Sequence, residues 1–392
     1  MNPVDVIIVG GGIAGSSLAV LLGRAGVQVE LFEQHHFPRD KPCAEGLMPA
    51  GVEALDRLGI EGTQAGARFR GIRYHGFGQC LTGHFPGGAG VPVWGRALRR
   101  LRLDAALFAA AGTTPGVTAR EGARVEGPVV ESGRVRGIQV AGQIRRARLV
   151  VAADGPRSIL RRRLGLDRAA RGAPRIGVRR HYRLAQGQAL PDQVEIFVGG
   201  DHEIYVTPLP DQEVSVAALC DRGTVAQAAG SVVRFFERAA AAHPRLQTLL
   251  DGAIPVSELG GRIPLASGAR RGTLPGLVLL GDAASALDPV TGGGMAQALI
   301  SAEMLASALV RARPAGGHHP PVAFDPSDDV VEEFDRRRKA LYREAAALSA
   351  LVLALVRHPR IARGAFGLLR RSPGLYTHLL GAAAGTRSLS PI

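Results

Sequence analysis

The first forty residues carry a spacing suited to binding a nucleotide diphosphate. Gly10, Gly12 and Gly15 follow the apolar run Val4–Val9 and open a helix pattern. Glycine at these positions permits a tight turn, lets a pyrophosphate approach the backbone, and allows helix and strand to pack closely. Glu33 lies 18 residues beyond Gly15, at the end of a second apolar run, where its carboxylate can accept hydrogen bonds from ribose hydroxyls. The set predicts a βαβ unit that binds FAD or NAD rather than NADP.

Another apolar run, residues 277–280, lies much later in the sequence and also leads into a glycine-rich loop and a helix pattern. Asp282 follows this predicted strand and is placed to hold a ribose or ribityl hydroxyl, because ligands of open α/β sheets bind at the carboxyl ends of strands. A helix N-terminus suits a site where negative charge develops, such as a reduced flavin. The residues that open this helix are Gly292, Gly293, Gly294 and Met295.

The proline-rich segment 37–49 has no regular secondary-structure pattern and contains Cys43 beside Glu45. We interpret it as a shaped loop near the cofactor. Since no partner histidine can be named, thiol catalysis is not favoured. The acid or base stays unassigned, with Glu45, Tyr205 and His202 as candidates because they flank segments expected to face the pocket. The predicted substrate pocket consists of Cys43, Ala44, Glu45, Gly46, Tyr205 and Pro289.

The elements that must position these residues predict an α/β protein with three parts. The first is a discontinuous Rossmann-like FAD-binding domain of glutathione-reductase type, residues 1–68, 95–175 and 262–312. The second is an inserted β-sheet substrate domain, residues 69–94 and 176–261, where alternating apolar residues recur. The third is a C-terminal helical region, residues 328–385, which is interpreted as a helical cover, with a membrane-surface face or a dimer face as the alternative.

Composition excludes several classes of protein. With 392 residues, 46% apolar and 21% charged, the chain is neither disordered nor fibrous. The net charge of +14 does not indicate nucleic acid, because only Lys41 and Lys339 among the 48 basic residues are lysine, a bias typical of high-GC codon usage. Three distant cysteines without a CxxC predict a reducing, cytoplasmic location and no metal. No apolar run approaches the ~20 residues of a spanning helix, and the chain is expected to be a monomer or homodimer.

Three motifs together resemble the FAD-dependent enzymes of the para-hydroxybenzoate hydroxylase fold. They are the Gly10 to Gly15 loop with Glu33, the pair Asp154 and Gly155 in Ala-Ala-Asp-Gly-Pro-Arg-Ser, and the segment 281–294. Their order and separations are similar over the chain to about residue 310. The resemblance implies FAD as the bound cofactor, with NADPH or NADH as a transient electron donor.

The resemblance also assigns roles by position. It implies that Glu33 binds the adenosine ribose, Arg100 the ribose or phosphate region, and Val125 the adenine through its backbone. It places Asp282 at the ribityl-diphosphate region and Gly294 with Met295 at the isoalloxazine edge. The other residues expected at the cofactor are Gly10, Gly12, Ala14, Gly15, Gln34, Asp154, Gly292 and Gly293.

The loop around Cys43 resembles the geranylgeranyl reductase branch of this fold, in which a similar cysteine-containing loop lies at the flavin. Tyr205 and Thr207 stand where that branch has a tryptophan and a second aromatic residue. Flavin halogenases carry a two-tryptophan motif, whereas the single tryptophan of this chain is Trp94. The sequence therefore speaks against halogenation.

Two reactions remain. The favoured one is a monooxygenase that uses NAD(P)H and oxygen to hydroxylate an aromatic or polyketide-like hydrophobic small molecule. The alternative is a geranylgeranyl reductase-like flavoenzyme that reduces C=C bonds of an isoprenoid without oxygen. A non-catalytic FAD-binding protein is a third hypothesis, since a fold alone fixes no reaction.

Overall fold

The computed structural model of the protein describes residues 3–87, 92–168, 174–228, 230–263, 265–312, 324 and 326–387. The strands in these residues are β1 Val4–Val9, β2 Val29–Phe32, β3 Gly46–Leu47, β4 Ala67–Phe69, β5 Gly71–Gly76, β6 Gln79–His84, β7 Gly95–Ala97, β8 Val117–Arg120, β9 Val125–Glu131, β10 Arg134–Val140, β11 Gln143–Ala152, β12 Arg175–Arg183, β13 Val194–Val198, β14 His202–Leu209, β15 Glu213–Asp221, β16 Ile254–Pro255, β17 Gly260–Arg262, β18 Ser267–Gly268, β19 Thr273–Leu274, β20 Leu277–Leu279 and β21 Ser285–Ala286. The helices are α1 Ile13–Arg24, α2 Pro49–Leu58, α3 Arg100–Thr113, α4 Ile159–Arg163, α5 Arg222–Gln227, α6 Val232–Ala241, α7 Pro244–Leu250, α8 Gly294–Arg311, α9 Asp328–Arg357, α10 Pro359–Arg371 and α11 Pro373–Ala384.

The nucleotide-binding part is a sheet with strand order β19-β20-β11-β1-β2-β8. Strands β20, β11, β1, β2 and β8 run parallel, and β10 and β9 continue antiparallel from β11. The parallel strands are apolar runs because both of their faces are covered, by α1, α3 and α8 on one side and by β9 and β10 on the other. The carboxyl ends of β1, β2, β11 and β20 therefore meet at one edge of the sheet.

A second sheet has the order β16-β12-β15-β14-β13-β5-β6, with β17 beside β12. Strands β5 and β6 precede the other strands by some hundred residues, and β5 pairs in parallel with β13, with Ile72 opposite Val194. One face packs on α6 and α7 through Phe235 and Phe236.

Of the predicted domain segments, residues 88–91 and 169–173 lie outside the described part of the chain.

The C-terminal region forms three helices, because the helical pattern is interrupted twice by proline. Helices α9 and α10 meet at His358, and α10 and α11 meet at Ser372, each immediately before a proline. Proline disfavours the α conformation of the residue before it. Helix α11 packs on β5 and β6, where the hydroxyl of Tyr376 donates a 3.1 Å hydrogen bond to the carbonyl of Ile72. The helices thereby cover the second face of the second sheet, and the predicted fold class is confirmed.

Candidate active site

The loop between β1 and α1 is built so that only one of its glycines faces open space. A Cβ on Gly10, whose φ is +107°, would lie 2.4 Å from the carbonyl oxygen of Ala153, and a Cβ on Gly15 would lie 1.9 Å from the carbonyl oxygen of Gly10. A Cβ on Gly12 would have only an Arg39 guanidinium nitrogen, 3.6 Å away, within 4 Å. Gly10 and Gly15 thus serve the fold, whereas Gly12 and Ala14 line a cavity with an empty volume of about 1380 Å³.

Glu33, the residue that follows β2, fixes the conformation of this loop through hydrogen bonds. Its carboxylate is 5% exposed and accepts hydrogen bonds from the backbone amides of Gly11 at 2.9 Å and His35 at 3.0 Å. The neighbouring Gln34 is exposed, and Val125 is buried in the core under β2 without lining the cavity. Ribose binding by Glu33 and adenine binding by the Val125 backbone stay predictions.

The cations nearest the glycine loop differ from the one the sequence pointed to. Arg100 lines the cavity, but its guanidinium forms two 2.7 Å hydrogen bonds to Asp104. Burial lowers the pKa of Arg100, but the contact with Asp104 outweighs this and raises it overall. Arg39 lies between Asp104, at 3.0 Å, and Glu33, at 3.5 Å, beside Gly12. Arg39 is therefore an additional cationic candidate for the cofactor phosphates. Lys41, which lines the same cavity, is another. The sequence alone assigned a role to neither residue.

Asp154 carries a buried oxygen that has no hydrogen-bond partner. Its Oδ2 accepts a 2.7 Å bond from the amide of Ile159, whereas its Oδ1 is unpaired among the described residues. Burial raises the pKa of this carboxyl. Gly155, the next residue, lines the cavity. An unpaired buried carboxylate oxygen on a residue next to Gly10, where an added Cβ would lie 2.7 Å from the Asp154 Cα, fits a bound dinucleotide that brings its own donors.

The N-terminus of α8 closes the other end of the cavity. Gly292, with φ +70°, and Gly293 precede the helix, and Gly294, Met295 and Asp282 line the same space. Pro289 begins a tight turn that follows Asp288. The carboxylate of Asp288 accepts a 2.7 Å hydrogen bond from the guanidinium of Arg175 in β12, which fixes the start of the turn. The predicted cofactor residues of two distant segments are therefore brought together here.

The loop with Cys43 lies between the glycine loop and α8. The thiol sulfur of Cys43 is 4.0 Å from the sulfur of Met295. Glu45 has a positive φ of 69° and accepts a 2.9 Å hydrogen bond from the amide of Arg100. Its other oxygen is 2.7 Å from Nε2 of His181, and both side chains are fully buried. The Nδ1 of His181 is 2.9 Å from a guanidinium nitrogen of Arg99, which can only donate. Nδ1 is therefore the acceptor, and Nε2 carries the ring proton and donates a hydrogen bond to Glu45.

We expect Glu45→Ala to lower the free energy of unfolding by about 3 kcal/mol, because it leaves the buried His181 and the Arg100 amide without their partner. Urea denaturation of the variant measures this change. The exposed Glu237→Ala on α6 is the matched control. An equal and small effect of both substitutions would show that the buried pair is not stabilising.

A second cavity, with an empty volume of about 1240 Å³, lies next to the α8 end of the first one. It lies between the second sheet and the C-terminal helices, and its walls are predominantly apolar, including Phe69, Phe77, Val352 and Phe366. The residues that line both cavities are Ala44, Gly46, Tyr205, Thr291 and Gly292. The two spaces are therefore adjacent and meet at these shared residues.

The two remaining acid or base candidates lie in different surroundings. Tyr205 lies at the junction of the cavities, but its hydroxyl donates to the carbonyl of Val290 at 3.1 Å, and burial raises its pKa well above the usual value. His202 lines neither cavity. Its ring is 2.7 Å from Asp201 and 2.9 Å from His243. The segment around His202 turns it away from the pocket, so the structure does not support it as an acid or base.

The contact between His202 and His243 predicts a pH dependence of stability. Burial, together with the neighbouring His202 and His75, lowers the pKa of His243 from 6.5 to about 4. The unfolded chain therefore takes up the proton first, so stability is complete above about pH 6.5 and is lost as the pH falls toward 4. We expect His243 to contribute a loss of about 1 kcal/mol between pH 7 and pH 5, measured as the difference between wild type and His243→Asn, a value reduced because the ring is partly solvated.

His243→Asn should remove this loss, whereas the exposed His84→Asn should retain it. The measurement is the free energy of unfolding in urea across that range of pH. If His243→Asn and wild type fall in parallel, the histidine contact is not the cause.

The fold and the site together define an FAD-dependent oxidoreductase. The glycine loop, the unpaired Asp154 oxygen and the α8 N-terminus fit FAD, and the residues predicted to hold it are Gly12, Ala14, Arg39, Lys41, Asp282 and Gly293. Residues 3–316 match a family model described as FAD binding domain, and the chain belongs to that family. NAD(P)H is the electron donor typical of it.

Comparison with known proteins identifies relatives with two kinds of activity. The chain is 39% identical over 164 residues to a menaquinone reductase from Mycobacterium tuberculosis, a match that covers 41% of this chain and only 40% of that protein. It is 30% identical to a menaquinone reductase from Mycolicibacterium smegmatis, covering 77% of this chain and 76% of that protein. It is 31% identical to a 6-methylpretetramide 4-monooxygenase from Streptomyces rimosus, covering 74% and 71%.

Two solved structures show the same fold. A flavin-dependent brominase has a TM-score of 0.82 at 18% identity and covers 98% of this chain and 94% of its own. A geranylgeranyl bacteriochlorophyll reductase-like protein from Thermoplasma acidophilum has a TM-score of 0.79 at 22% identity and covers 98% and 97%.

Proposed function

We propose that this protein reduces C=C bonds in the hydrocarbon chain of an isoprenoid lipid, with NAD(P)H as the source of electrons. The observation that carries the proposal is the second cavity, whose walls are apolar and whose hydroxyl groups are largely engaged with the protein itself. This choice reverses the order given by the sequence, in which hydroxylation came first.

The hydroxyl groups on the cavity wall support this choice. Tyr205 donates to the Val290 carbonyl, Tyr376 donates to the Ile72 carbonyl, and the hydroxyl of Thr291 is 3.1 Å from that of Ser349. A phenolic or polyketide-like substrate would lose hydrogen bonds to water and find few partners on these walls, which costs free energy. A hydrocarbon chain has no polar groups to satisfy and gains from leaving water.

When bound, reduced FAD supplies the hydride that reduces an alkene. The residues of the protein determine which carbon atoms of the substrate lie close enough to receive this hydride. The junction of the cavities is lined by the small residues Ala44, Gly46 and Gly292 together with Tyr205 and Thr291, and a slender chain that passes the small residues would reach the flavin end from the apolar side. Helices α9 to α11 cover the cavity and exclude water from the reacting bond.

The relatives add independent support. Two of the proteins with the similarities given above are named as reductases of menaquinone, and the loop around Cys43 resembles that of the geranylgeranyl reductase branch. The Cys43 thiol lines the first cavity, where the loop shapes the wall facing α8.

Hydroxylation is the second candidate, favoured by one observation. The Streptomyces rimosus monooxygenase is similar over 74% of this chain, and polar groups of Glu45 and Asp288 line the first cavity near the junction. A small aromatic substrate held entirely in the first cavity would meet those groups.

Mass spectrometry of the product distinguishes the two reactions. Purified holoenzyme is given NAD(P)H and a polyprenyl quinone or polyprenyl glycerol lipid under isotopically labelled oxygen gas. We expect a product with two additional hydrogen atoms in its polyprenyl chain, located by fragmentation after any quinol has been reoxidised in air, and no label. A product that contains labelled oxygen would establish the monooxygenase instead.

A further inference from the structure

We infer that helix α10 docks on an anionic lipid bilayer, with the second cavity opening toward the membrane. The inference rests on the proposed function, because a membrane would be the source of the isoprenoid substrate. The observations that carry it are an exposed apolar stripe, a surplus of arginine around it, and the place where the cavity reaches the surface.

Helix α10 exposes two large apolar side chains. Ile361 is 61% exposed and Leu368 is 56% exposed. They are seven residues apart, so they lie on one stripe of the helix. The helices joined to α10 add Leu351 of α9, 49% exposed, and Leu375 of α11, 43% exposed. Four of the eleven exposed large apolar residues in the described chain therefore lie within residues 351–375.

The charge around the stripe has a single sign. Arg360 and Arg371 lie together on one side of it, at about −90° around the helix axis, and Arg363 and Arg370 are exposed on the side of the helix away from the stripe. No ion pair joins these four arginines to a carboxylate among the described residues. Glu344 is the last acidic residue of the sequence, while residues 345–392 contain six arginines. Exposed apolar side chains with unpaired arginines are complementary to the interface of an anionic bilayer.

An adjacent face of α10, about 90° around the helix axis from the stripe, forms part of the cavity wall. Ala362, Ala365, Phe366 and Leu369 line the cavity, and Phe366 packs edge-on against Tyr74 and Phe77 of the second sheet. Leu351 both lines the cavity and is exposed, so the cavity reaches the surface beside α10. A lipid chain leaving the bilayer at this helix would enter the cavity without crossing water.

The shape of the helices favours lying on the membrane rather than crossing it. Among the described residues no single helix is long and apolar enough to span a bilayer. Helices α9 and α10 meet the length and composition required only as a pair, and they are bent by 117° at the break between them. An amphipathic helix at such a bend suits the plane of the interface.

The test is co-sedimentation of the holoenzyme with phosphatidylcholine vesicles, with and without phosphatidylglycerol. We expect binding only to the anionic vesicles and a decrease with added salt. Ile361→Glu with Leu368→Glu, and separately Arg360→Glu with Arg371→Glu, should each weaken binding about tenfold or more. The matched controls are Val130→Glu with Ile144→Glu, which are 48% and 55% exposed on the opposite part of the fold, and Arg162→Glu with Arg163→Glu. These controls should bind as wild type does.

Equal binding by the α10 variants and their controls, or no binding to anionic vesicles, would overturn the inference. So would a stable dimer in light scattering that the α10 variants convert to a monomer while wild type fails to bind vesicles. The assay does not depend on turnover, and the α10 variants should still reduce a detergent-dispersed substrate. Failure of the proposed function would instead appear as absent reduction with vesicle binding intact.

Discussion

Replacement of Gly12 by valine is expected to abolish retention of FAD while leaving the protein folded. A Cβ at Gly12 would meet only the flexible end of Arg39, at 3.6 Å, so the substitution creates no clash within the chain itself. The open space it would fill is where the backbone of this loop lets a pyrophosphate approach. We expect the dissociation constant for FAD to rise by about 100-fold or more, equivalent to roughly 3 kcal/mol.

The measurement is the flavin absorbance of the purified variant and its titration with FAD. Gly200→Val is the matched control, since nothing lies within 4 Å of a Cβ there and the residue is remote from the cavity. Gly15→Val is a contrasting variant, expected to fail to fold because its Cβ would lie 1.9 Å from the Gly10 carbonyl oxygen. Normal FAD content in a folded Gly12→Val protein would contradict the assignment of this site.

The second large effect concerns the length of the substrate. Ala365 lies on the cavity face of α10, so Ala365→Trp should fill the outer part of the second cavity without reaching the FAD site. We expect kcat/KM for a long polyprenyl substrate to fall by about 100-fold, because a blocked cavity removes most of the apolar surface that the chain buries. A substrate truncated to one or two isoprene units should lose less than about threefold.

Steady-state kinetics with the two substrates measures the difference, and the flavin content should not change. Ala241→Trp, at an exposed position on α6, controls for the introduction of tryptophan. An equal loss for short and long substrates would mean that this cavity does not hold the chain.

The nucleotide-binding half of the fold was predictable because its signals are local. The spacing of Gly10, Gly12, Gly15 and Glu33, and a second strand leading to Asp282, specify positions in one βαβ unit and one helix start. The parallel register then brings the ends of β1, β11 and β20 together without further information. The interruption of the C-terminal helices was missed because the apolar pattern continues through Pro359 and Pro373, although each proline marks a break.

The contacts that shape the candidate site could not be predicted, because they join residues far apart in the chain. Glu45 and His181 are 136 residues apart, and a buried ion-paired arginine such as Arg175 looks in the sequence like any of the other arginines. The roles of Arg39 and Lys41 depend on how the Cys43 loop folds back over the glycine loop. The second cavity exists only once α9 to α11 cover the sheet, so its apolar character could not be read from any one segment.

The central claim is that the electrons of reduced FAD go to a carbon–carbon double bond and not to oxygen. It is tested most directly by anaerobic single turnover, in which holoenzyme reduced by dithionite is mixed with the polyprenyl lipid and the flavin absorbance is followed. We predict that oxidised flavin reappears without oxygen, in step with a saturated product, and that Ala365→Trp slows this return. Flavin that stays reduced until oxygen is admitted, and only then yields a hydroxylated product, would contradict the account.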